Sequence, residues 1–77
     1  MARLYFHCST AREALIDPTG IVLRDLAEAR EHAAQFVRSL IASPSLEDWR
    51  NWVLHVSDAH GDEVFAVAFA SAVGKPN

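Results

Sequence analysis

Hydrophobic and polar residues alternate at the start of the chain and again near its end, and between these stretches the spacing becomes that of a helix. In "RLYFHCS", residues 3 to 9, the alternation predicts a strand with Leu4, Phe6 and Cys8 on one side and Arg3, Tyr5, His7 and Ser9 on the other. The polar "TARE" makes a turn, and "EALI" returns as a short second strand over residues 13 to 16. In "DPTG", residues 17 to 20, Asp, Pro and Gly hold the first, second and fourth positions of a type I turn. "IVL" continues extended, and then the period changes.

From Asp25 onward, Leu26, Ala29, Ala33, Phe36, Val37, Leu40 and Ile41 form one stripe of a helix, and Glu28, Glu31, His32, Gln35 and Arg38 form the other. Asp25 with Glu28 makes a capping-box-like start, and Arg38 complements the dipole near the far end. Ser43 and Pro44 stop the helix, because proline disfavours the α conformation in the residue before it. "SPSLEDWRN" is a loop, with a single helical turn begun at Ser45. "WVLHVSD" over 52 to 58 and "DEVFAVAFA" over 62 to 70 form a hairpin closed through "AHG", with Gly61 in the left-handed conformation.

The predicted order is β-β-α-β-β, and the fold class is α+β: an antiparallel sheet with one amphipathic helix packed on one face. Residues 1 to 77 make a single domain, with a folded core over about 3 to 71 and a frayed C-terminal tail. Strand parity puts Leu4, Phe6, Cys8, Trp52, Leu54, Val56, Phe65, Val67 and Phe69 in the core with the helix stripe. The opposite face carries Tyr5, His7, Val53, His55, Val64, Ala66 and Ala68, the candidate interaction face. A solvated outer strand normally shows charge, so the small apolar row of Val64, Ala66 and Ala68 predicts that something lies against it.

Composition narrows the partner. With 77 residues, 51% of them hydrophobic and 22% charged, the chain is a small globule and not a disordered tail. A domain this small buries only about 60% of its unfolded surface, a deficit that association would supplement. The net charge of -3, without a cluster of basic residues, argues against a polyanion and hence against nucleic acid. One cysteine excludes an internal disulfide and suits a reducing compartment. There is no leader-like pattern, and no apolar run is long enough to span a bilayer, so a soluble cytoplasmic protein without a membrane partner is expected.

Four short patterns recur in a known order: Arg3, Tyr5, Phe6 and His7; Asp17, Gly20, Leu23, Asp25, Leu26, Ala29 and Arg30; Asp48 and Trp49; Val56, Asp58, Gly61 and Val64. Together they resemble a bacterial family of short proteins, largely alphaproteobacterial, catalogued as a domain of unknown function. The resemblance spans nearly the whole chain and departs from the family pattern at "STARE" in the first turn. It implies structural roles for these residues, and no substrate, cofactor or catalytic group.

The adjacent His7 and Cys8 suggest a nucleophile with its base, yet neighbours in a strand point to opposite faces and cannot share a proton. Cys8 is then a small buried hydrophobe. Tyr5, His7 and His55 share a face, but two histidines make half a zinc site, and parity supplies no third ligand there. "DAHGDE", residues 58 to 63, lacks the spacing of a calcium loop and reads as a solvated hairpin tip. Trp49, Arg50 and Trp52 offer a stacking platform, against which stands a core role for Trp52 and a closing role for Trp49. The expectation is a non-catalytic interaction or regulatory module without cofactor or metal, which joins a homo-oligomer or another protein through the open sheet face. The alternatives are a weak single-stranded nucleic-acid binder and a small metal or ligand-binding protein.

Overall fold

The computed structural model describes residues 2–44 and 46–72. The helical turn begun at Ser45 and the tail after residue 72 concern residues outside the described ones. The alternating opening forms β1 (Ala2–Ser9), in which Leu4, Phe6 and Cys8 are buried and the residues between them are not. Antiparallel to it runs β4 (Val53–Ser57), followed across the sheet by β5 (Glu63–Ala68). The other partners of β1 are β2 (Ala14–Leu15), paired at Cys8 and Ser9, and β3 (Ile21–Leu23), paired at Ala2 to Leu4. The order is β2-β1-β4-β5 with β3 also on β1, and α1 (Leu26–Ala42) lies on one side, so the fold is α+β.

The expected strand over 13 to 16 is reduced to two residues, and "IVL" makes a strand of its own, so three strands precede the helix. Pro18 has no N–H for a ladder and interrupts the pairing. Asp17 fills the break: its Oδ2 accepts from the Phe6 N–H at 3.2 Å, and its Oδ1 from Thr19 and Gly20 at 3.1 and 3.0 Å. Gly20 has φ +72°, and a Cβ there would lie 2.9 Å from the Leu4 carbonyl oxygen, so the turn both requires glycine and tucks against β1.

Asp25 caps the helix by accepting from the Glu28 N–H at 2.9 Å. The return bond differs from a capping box, since Glu28 reaches one residue further and accepts from the Arg24 N–H at 2.7 Å. Ala29, Ala33 and Val37 are fully covered, and Phe36, Leu40 and Ile41 pack at the margin. Leu26 departs from the predicted stripe at 46% exposure, because the first helical position lies ahead of the part that meets the sheet. Arg38 falls short of the last turn, which holds no basic residue, because the helix runs on to Ala42. His32, expected on the polar side, is half-buried with its ring edge-on to Phe6 at 4.8 Å.

The final strand is shorter than the expected 62 to 70. Phe69–Ser71 coils into a 3-10 turn, and the Phe69 N–H donates to the Trp52 carbonyl at 3.0 Å, which carries Phe69 fully into the core. Trp52 precedes β4, not within it, and is buried with its indole N–H donating to Glu47 at 3.1 Å. Trp49 stacks on Phe69 at 5.5 Å and tilts against Trp52 at 5.3 Å, closing the end of the sandwich as one of the two sequence readings had it. Seven of the nine predicted core residues are buried; Phe65 and Val67, on the outermost strand, are partly so.

Candidate functional site

Three cross-strand rows tile the sheet face away from the helix. They are Tyr5–Ser57–Glu63, His7–His55–Ala66 and Ser9–Val53–Ala68, read from β1 through β4 to β5. Side chains paired across a ladder point the same way, so six of the seven candidate residues share this surface. Tyr5 and His7 are half-buried with near-parallel rings, 12° apart and 6.2 Å between centroids. Ala66 and Ala68 are exposed, and Val53 lies half-buried between the ring side and the alanine side.

Val64 departs from the row that strict alternation gives it. The register slips between Val56 and Ser57, where Phe65 and Glu63 are the successive partners and Val64 is the extra residue of a bulge. Glu63 therefore stands opposite Ser57, and its Oε1 accepts from the His55 Nδ1–H at 2.7 Å. Alternation alone had left this face without a carboxylate; a bulge at the hairpin mouth supplies one. Val64 remains 43% exposed.

His7 has a partner that the sequence did not predict. The Asp17 N–H donates to its Nδ1 at 3.0 Å, which leaves the proton of the neutral ring on Nε2, facing outward. Burial pushes the Asp17 carboxyl pKa up, but hydrogen bonds from Gly20, Phe6 and Thr19 outweigh it and hold the group below its ordinary value. The "DPTG" signal had marked a turn, and the turn's approach to β1 is what brings Asp17 to His7.

His7 and Cys8 do lie on opposite faces. Cys8 is 1% exposed, and burial pushes its thiol pKa up to about 11, far from a reactive thiolate. Although His7 and His55 are direct cross-strand partners, no group of three or more His, Cys, Asp or Glu with metal-binding geometry occurs among the described residues. The 58–63 hairpin tip spends Asp58 on itself, with Oδ1 accepting from the His60 and Asp62 N–H groups, while Gly61 takes φ +87° as expected. A cleft of about 550 Å³ opens elsewhere, between residues 10–13 and the Glu47–Trp52 segment. Its carboxylates are engaged: Glu47 by the Trp52 indole, and Asp48 by Arg50 at 3.0 Å, which lowers the Asp48 pKa to about 2.

A family model described as Domain of unknown function (DUF6894) matches residues 3–70. No curated protein and no solved structure matches the chain. Among the described residues, no helix is long and apolar enough to cross a membrane.

Proposed function

We propose, from the premise that the chain belongs to the DUF6894 family of domains of unknown function, that it is a small non-catalytic interaction module that joins a second copy of itself through the open sheet face. The observation that carries the proposal is the division of that face: rings along β1, small side chains along β5, and β4 between them. A two-fold axis along β4 lays β1 of each copy over β5 of the other. His7 then rests on Ala66 and Ser9 on Ala68, and the Tyr5 hydroxyl comes beside Glu63. Large side chains opposite small ones suit two sheets packed about 10 Å apart.

The molecule measures 35 × 28 × 19 Å, and its broad aspect has room for the about 800 Å² per partner of an ordinary stable interface. The proposal places the module in the reducing cytoplasm of an alphaproteobacterium, a setting that suits a single unpaired thiol.

Size-exclusion chromatography with light scattering tests it on wild type and Ala66→Arg. Ala66 is exposed, so the substitution leaves the monomer folded while placing bulk and charge under His7 of the second copy. Wild type should be dimeric and the variant monomeric; a wild type monomeric at high micromolar concentration contradicts the proposal. Single-stranded nucleic acid is the rival occupant, favoured by the parallel Tyr5 and His7 rings and opposed by the net charge of -3. Salt-sensitive binding of a labelled RNA oligonucleotide, lost in Tyr5→Ala, would favour that rival.

A further inference from the structure

Leu46 is 106% exposed, a leucine with its whole side chain in water. Leaving such a side chain solvated forgoes about 1.5–3 kcal/mol of burial. On the same molecule, a cleft of about 370 Å³ lies between α1 and β5, lined by Ala34, Val37, Arg38, Val67, Ser71 and Ala72. Its walls are mostly small and apolar, and its one charge is Arg38, which makes no ion pair among the described residues. Leu46 is followed by Glu47 and Asp48, so the segment matches the cleft in both respects: an apolar tip for the walls and carboxylates for the guanidinium.

The geometry points to a second self-contact, in which Leu46 of one copy enters the α1/β5 cleft of another, with the Glu47–Asp48 carboxylates beside Arg38. The two halves of the contact sit near the same end of the helix. Arg38 is four residues before the helix end and Leu46 four residues after it, so they are at most about 20 Å apart along the chain. That proximity lets two copies exchange their leucines reciprocally around one axis, which closes the contact and prevents an open chain.

One side chain in each direction is a small interface, and it is weak alone. It rests on the sheet-face dimer proposed above, because two such contacts between dimers act together at high effective concentration and give a dimer of dimers.

Sedimentation velocity across a concentration series tests it on wild type, Leu46→Asp and Ala66→Arg. Leu46 touches nothing in its own chain, so its replacement leaves the fold and the sheet-face dimer intact. Wild type should pass from dimer to tetramer, and Leu46→Asp should stop at dimer, its second step weakened at least tenfold. A wild type that stops at dimer, or a Leu46→Asp variant indistinguishable from it, overturns this contact and leaves the sheet-face proposal standing; a monomeric wild type removes both. As a second readout, Leu46→Cys chains are mixed with tagged Ala72→Cys chains under mild oxidation, with native Cys8 buried out of reach. A disulfide-linked heterodimer is expected, and its absence counts against the contact.

Discussion

A single carboxylate does the work of a missing strand at the edge of β1. Between the residues paired to β2 and those paired to β3, the Phe6 N–H has no strand partner and uses Asp17 instead. The same residue returns a bond through its own N–H to His7. Asp17→Ala should leave a buried backbone donor unsatisfied and loosen the Thr19–Gly20 turn. The expected loss is about 1–3 kcal/mol, read as a lower urea midpoint. Because the native pKa of Asp17 lies below its unfolded value, the unfolded state binds the proton more tightly and stability rises with pH through that window. The contribution is complete above the unfolded value and is lost as pH falls through the native one, so Asp17→Asn should flatten the acid limb of the stability curve. The turn itself was legible in "DPTG". Its bond to Phe6 was not, since a contact across eleven positions depends on where the strands meet.

At the scale of elements, period-two and period-3.6 patterns located β1, β4, β5 and α1, because each has one covered side and burial writes itself into spacing. What spacing cannot carry is an irregularity. The bulge at Val64 exchanges a predicted apolar position for Glu63, and the coil at Phe69 ends β5 early while keeping its ring inside. Helix and sheet approach closely where Ala29 and Ala33 are fully covered, so their small size is a packing requirement. Ala33→Leu should overpack this seam and cost about 1–3 kcal/mol, measured by denaturant unfolding, whereas Ala66→Arg on the open face should leave the unfolding midpoint nearly unchanged.

For the whole molecule, one helix covers one side of the sheet, and the other side is paved by Tyr5, His7, His55, Ser57, Glu63 and the alanines of β5. The sequence exposed most of this face through β1 parity, and missed Glu63 and Asp17 because each reaches it through an irregular backbone. The second copy proposed to cover it should leave its mark residue by residue. An amide proton–nitrogen correlation spectrum followed through a dilution series is the most direct measurement. Shifts that change with concentration at Tyr5, His7, His55 and Ala66, with Ala29 and Ala33 unmoved, are the predicted result; a spectrum that does not change on dilution, or changes confined to the helix, contradicts the account.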